Sequence, residues 1–240
     1  MVSTFKAREG EKGNVLFLIL IAVALFAALS YAVTQSTRSG SGTTEKETNL
    51  LNSASLTQYP TALRTAVVRM ILNGQDIDDI GFDPPSGFTG ISTSSLVFHP
   101  EGGGAVFQQS PPDAMNSNSA GTWYYNGNFE VGEIGQAGAG GNDLIAFLPG
   151  VGQGICRKLN EELGVTISGT PTFVGIPDMN VTTDADISDS HLVAEAFPTT
   201  DRQDLSGTGG SLTGKPSGCF YDSTLAAGSQ FVFYAVVLER

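Results

Sequence analysis

Residues 15–33 read VLFLILIAVALFAALSYAV, 19 consecutive uncharged positions, and the charge-free stretch extends from Asn14 to Thr37. At about 1.5 Å rise per residue, a helix of that length covers roughly the ~30 Å hydrocarbon core of a bilayer, so it reads as one membrane span. Lys6, Arg8 and Lys12 precede it, and only Arg38 follows closely. This bias of positive charge puts the leading dozen residues in the cytoplasm and the remaining ~200 outside. The expectation is a single-pass protein of the inner (cytoplasmic) membrane, with its head in the periplasm or beyond.

Leader and span occupy the first ~40 of 240 residues, which leaves one domain of ordinary size, long enough to bury a core. With 30 Gly, 15% charged residues and a mean hydropathy of +0.03, the remainder is too apolar for disorder and rich in turns, as a β-rich exported domain would be. The three basic and two acidic residues before Gly13 leave 9 Lys and Arg against 22 Asp and Glu, a net charge of −13. Such a surface repels nucleic acid and anionic lipid head groups, so no nucleic-acid partner is expected. Cys156 and Cys219 both fall on the external side, where disulfides persist, and are expected to bond to each other. Two isolated cysteines and two histidines make no tetrahedral metal cage.

Residues 36–44 (STRSGSGTT) are Ser, Gly and Thr around one Arg, and read as a break or flexible joint after the span. Beyond it Tyr59, Ala62, Leu63, Ala66, Val67, Met70 and Ile71 recur at three- and four-residue steps, with Thr61, Arg64, Thr65 and Arg69 on the other side. That spacing predicts an amphipathic helix, with Pro60 in its first turn and Asn73-Gly74 as its stop. From Gly74 onward, short apolar runs predict strands at residues 96–98, 105–108, 122–125 and 129–134, the last two joined by an Asn126-Gly127 hairpin. Residues 142–164 return to helical spacing, with Cys156 on the helix and Gly164 capping it. Further strands are expected at residues 172–176, 218–221 and 230–238, and the last (QFVFYAVVL) is apolar on both faces, as a central strand would be. Residues 182–218 read as loop.

Lys12-Gly13 followed by Asn14-Val15-Leu16-Phe17-Leu18-Ile19-Leu20-Ile21-Ala22-Val23-Ala24-Leu25 resembles the start of type IV pilins and of type II secretion pseudopilins. The ordering that follows, an amphipathic helix and then a β-rich head with a late disulfide, resembles theirs too. The resemblance covers roughly the first 60 residues. It implies cleavage by a prepilin peptidase between Gly13 and Asn14, and packing of residues 14–33 against sister subunits or copies of the same chain in a filament. Two positions depart from the family pattern. Asn14 stands where the first mature residue is usually Phe or Met, and Leu18 stands where the fifth is usually a Glu that pairs with a neighbour's terminal amine. The loss of that Glu implies a minor subunit rather than the repeating one. The same residues also fit an ordinary signal anchor. Ser30-Tyr31-Ala32 would suit a cleaved secretory signal, although the apolar run is long for one.

Few residues carry chemistry. Residues 209–215 (GGSLTGK) fit the first seven positions of a phosphate-binding loop, but Pro216 offers neither the hydroxyl nor the N–H that the eighth must supply. Residues 76–81 (DIDDIG) open like a calcium loop and then lack its fifth and twelfth ligands, while Asp184, Asp186 and Asp189 read as solvated charge. His99 and His191 have no exposed serine turn to serve. The chain is therefore read as a non-enzyme without cofactor or metal. Trp123, Tyr124 and Tyr125 form the best candidate ligand surface, since an aromatic on an exposed sheet face can stack on a sugar; cross-strand packing is the alternative.

The resulting expectation is an α+β, pilin-like architecture: a basic leader over residues 1–13, a transmembrane helix over 14–37, a linker and amphipathic helix over 38–73, and an extracytoplasmic head over 74–240. That head is mostly antiparallel sheet with one helix near 142–164. The function expected is that of a minor pilin or pseudopilin. The alternative is a signal-anchored binding module acting alone, with Trp123 to Tyr125 and the acidic residues 184–204 as its ligand face.

Overall fold

The long apolar stretch and the amphipathic stripe belong to one helix, α1 (Lys12–Leu72). The computed structural model describes residues 12–88, 92–135, 142–165, 203–205, 211–222 and 225–240. Residues 36–44, where a joint is expected, have helical backbone. Propensity is only a weak bias inside a long helix, because extending a helix adds a hydrogen bond for each residue fixed. Pro60 accordingly lies in the interior of α1 rather than in a first turn. It is buried, and with no N–H it leaves the Leu56 carbonyl without its usual partner four residues on. One residue later, the Thr61 hydroxyl donates back to the Thr57 carbonyl at 3.0 Å.

The chain divides into two units, one ending at Thr48 and the other running from Asn49 to Arg240. In the first, every side chain from Val15 to Gln35 is exposed. In the second, Ser53, Leu56, Tyr59, Leu63, Ala66, Val67 and Met70 are buried while Thr61, Arg64, Thr65 and Arg69 are exposed, as the periodicity predicts; Ala62 alone of the expected stripe faces out. The helix closes on Gly74 (φ +92°), where Gly74 N–H donates to Ile71 and Gln75 N–H to Met70, the paired bonds of a Schellman stop.

The sheet of this second unit contains β1 (Tyr124–Glu130), β2 (Asp143–Pro149), β3 (Gln203–Asp204), β4 (Ser217–Tyr221) and β5 (Phe231–Leu238), in the order β3-β1-β2-β5-β4. All pairs are antiparallel except β1 with β3. The fold is thus α+β, a long N-terminal helix whose second part packs on a mostly antiparallel sheet. The strand β5 lies between β2 and β4 and is buried on both faces, as its composition requires. Its alternate residues divide two cores. Phe233, Ala235 and Val237 join α1, Leu144, Ala146, Leu148 and the helix α2 (Gln153–Glu162) on one face. Val232, Tyr234 and Val236 join Ile145, Phe147, Phe129, Leu205 and Leu212 on the other.

Several expected elements differ. The Asn126-Gly127 hairpin is absent: β1 continues through it, with a bulge between Asn126 and Phe129. Asn126 pairs with Ile145 and Phe129 with Asp143, so three steps along β1 match two along β2. The extra residue turns the strand over, and Tyr125 and Phe129 face opposite cores although an unbroken strand would put them on one. The helix expected over 142–164 is shorter, since its first third is β2. Periodicity could not separate a short, fully buried apolar run from a helix segment. Residues 96–98 and 105–108 are not strands; Leu96 makes only an isolated bridge to Gly81. Residues 129–134 form strand only to Glu130. The expected strand at 172–176 lies outside the described residues.

Candidate functional site

The apolar segment is the first functional feature. Val15–Gln35 forms one helical stretch long enough to cross a membrane, and none of it is buried within the chain. Its polar side chains near the end are satisfied locally. The Thr34 hydroxyl donates to the Ser30 carbonyl at 2.7 Å, and Gln35 Nε2 donates to the Tyr31 hydroxyl at 2.7 Å. Those internal bonds lower the cost of placing these groups at an apolar boundary. Gly13 and Asn14 lie in the first turn of α1. The leader before Lys12 falls outside the described residues.

The disulfide joins Cys156 of α2 to Cys219 of β4, with Cα atoms 5.4 Å apart. Four residues along α2, Asn160 Nδ2 donates to the Cys219 carbonyl at 2.9 Å, and the Cys219 N–H donates to Asn160 Oδ1 at 2.8 Å. The helix ends on Gly164 as expected, with Gly164 N–H donating to Glu161 and Val165 N–H to Asn160. Lys215 donates to the Leu163 carbonyl at 3.3 Å. That lysine of the rejected phosphate-loop pattern therefore satisfies a helix C-terminus.

The aromatic triplet divides as strand alternation predicts, but the face it offers is closed. Trp123 and Tyr125 are each 5% exposed in the helix-side core, where Tyr59 and Trp123 rings lie 5.2 Å apart and Phe82 stacks on Tyr125 at 4.2 Å. The Tyr59 and Tyr125 hydroxyls share a hydrogen bond of 3.2 Å. Burial raises both phenol pKa values. Those two residues serve as packing rather than as a stacking surface. Tyr124 alone is half-buried, on the opposite face.

Tyr124 lines a pocket of about 600 Å³ at the end of the sheet where β1 begins and β2 finishes. Of its lining the sequence singles out Tyr124 alone, because the walls come from three loops distant in the chain. The other end of the sheet holds a buried carboxylate. Asp143 accepts the Val131 N–H at 3.0 Å and the Arg240 N–H at 3.3 Å, and burial pushes its pKa up to about 6 against those two bonds, with Glu130 and Glu239 adding to the rise. On the surface, Arg64 pairs with Glu239 at 3.0 Å. His99 packs edge-on against Phe88 and accepts the Glu101 N–H at 3.2 Å, a loop-forming role. Among the described residues no group of three or more His, Cys, Asp or Glu could hold a metal ion. His191 and the acidic residues from 184 onward lie outside the described residues, except that Asp204 belongs to β3. No family model, curated protein or solved structure matches the chain.

Proposed function

We propose that this chain is a minor pilin-like or pseudopilin-like structural subunit, held in the inner membrane by residues 14–33 and processed by a prepilin peptidase between Gly13 and Asn14. The observation that carries the reading is the exposed helix Val15–Gln35: 21 residues, near the N-terminus, with no apolar cover inside its own chain. An apolar surface of that size must be covered by lipid, by neighbouring helices, or by each in turn. A filament subunit uses both covers, lipid before assembly and sister helices after it. A long helix continuing onto an antiparallel sheet that a disulfide ties to α2 supports the same reading.

The test is substitution of Gly13 by a bulky residue in cells that carry a prepilin peptidase. The subunit reading expects the unprocessed chain to accumulate and to be absent from filaments. An anchored binding module acting alone, the second reading, expects no change in mass. The pocket beside Tyr124 is the observation that keeps this second reading in view.

A further inference from the structure

We infer that the pocket beside Tyr124 is a binding site for a neutral saccharide of one to two rings, independent of whether the chain enters a filament. Its volume of about 600 Å³ lies within the usual range for small-ligand sites. The lining contains no charged residue, on a chain of net charge −12. Without Lys, Arg or His it offers nothing to a phosphate or carboxylate, and without Asp or Glu nothing to a cation or amine. The polar groups are instead neutral: the Asn116 amide and the hydroxyls of Ser117, Thr122 and Ser229. Tyr124 adds an aromatic side chain. Neutral hydrogen-bonding groups around an aromatic wall match a sugar ring, whose hydroxyl edge is polar and whose C–H face stacks on a π surface.

The site is also built before any ligand arrives. The Asn116 N–H donates to the Gly150 carbonyl at 2.8 Å, and the Gly150 N–H donates to the Phe231 carbonyl at 2.8 Å, so two of the walls are tied to each other and to β5. Asn116 Nδ2 reaches the Gly228 carbonyl at 3.5 Å across the third. Gly150 has φ +88°, a left-handed conformation that L side chains rarely adopt, while a Cβ there would meet the flexible end of Met115 at 3.3 Å and the Gly228 carbonyl at an ordinary 3.5 Å. Glycine at that position therefore holds the turn that joins the walls, and a preformed pocket avoids the ordering cost of binding.

The experiment uses the full chain in lipid nanodiscs, because detergents with sugar head groups would compete. Maltose, cellobiose and N,N′-diacetylchitobiose are titrated by saturation-transfer NMR, with an N-acetylated, C-amidated Gly-Ser-Ala tripeptide, which carries no charge, as comparison. Two variants accompany the wild type. Tyr124→Leu removes the ring but keeps apolar packing, and Ala227→Trp fills the pocket from an exposed position. Saturable binding of at least one disaccharide, weakened about tenfold or more by both variants while their melting temperatures hold, is the expected result. Binding that neither variant changes, binding of the tripeptide alone, or no binding of any disaccharide would overturn the inference.

Discussion

Asn160 of α2 is hydrogen-bonded twice to the backbone of Cys219, donating to its carbonyl at 2.9 Å and accepting from its N–H at 2.8 Å. Cys219 lies in β4, which pairs with β5 on one side and, among the described residues, ends the strand order on the other. The side-chain amide takes the place of a neighbouring strand there, filling the donor and acceptor that an edge leaves open. The disulfide fastens α2 to the same residue. Helix and edge strand are thus held by one covalent and two polar links at a single point.

Replacing Asn160 by Ala would orphan a buried N–H and a buried carbonyl together. The expected loss is about 2–4 kcal/mol, read as a lower urea midpoint with an unchanged slope. A loss below about 0.5 kcal/mol would mean that water replaces the amide at no cost.

Cys156 and Cys219 are 1% and 2% exposed, so the bond between them should resist reductant while the fold is intact and yield once denaturant opens the core. With the two cysteines 63 positions apart, removal of the bond by Cys156→Ser and Cys219→Ser together should cost about 4 kcal/mol in the chain-entropy account. Thiol trapping with and without urea checks the first expectation, and thermal unfolding of the double variant the second.

Asp143 sets a pH dependence of unusual sign for a carboxylate. Its pKa is raised on folding to about 6, so the folded chain holds a proton there that the unfolded chain has released. The stabilisation it contributes is complete below about pH 4 and is lost as pH rises through about 6. Unfolding measured from pH 4 to 7 should therefore show a falling contribution in wild type that Asp143→Asn removes. Identical pH profiles for the two proteins would contradict the assignment.

The buried Tyr59–Tyr125 hydroxyl pair makes a sharper test of the helix–sheet contact than either ring alone. Tyr125→Phe leaves the Tyr59 hydroxyl without this partner and should cost about 1–2 kcal/mol. The Tyr59→Phe, Tyr125→Phe double variant should cost less than the sum of the singles, and a double-mutant cycle measures the difference.

Legibility in the sequence followed the length of the pattern. The long apolar helix, the buried stripe from Tyr59 to Met70, the apolar central strand β5, the Cys156–Cys219 bond and the Gly74 and Gly164 stops are all readable, because each is a long periodicity or a local conformational need. Asn126-Gly127 misled because the strongest hairpin signal is also compatible with a bulge, and the neighbouring strand β2 decided between them. Residues 143–149 resembled helix because seven apolar-rich positions carry no usable period when both faces are buried. Trp123 and Tyr125 were placed on the right face, but only the tertiary structure shows that α1 and Phe82 cover it. The pocket beside Tyr124 and the Asn160 clamp were illegible, being made by residues that meet only after folding.

The mass and N-terminal residue of the mature chain, taken from its native membrane, test the central claim most directly. The subunit reading predicts a chain that begins at Asn14, carrying one added methyl group as the pilin resemblance implies. A chain that still begins at Met1, or one that begins at Val33 and has lost its span, would contradict it.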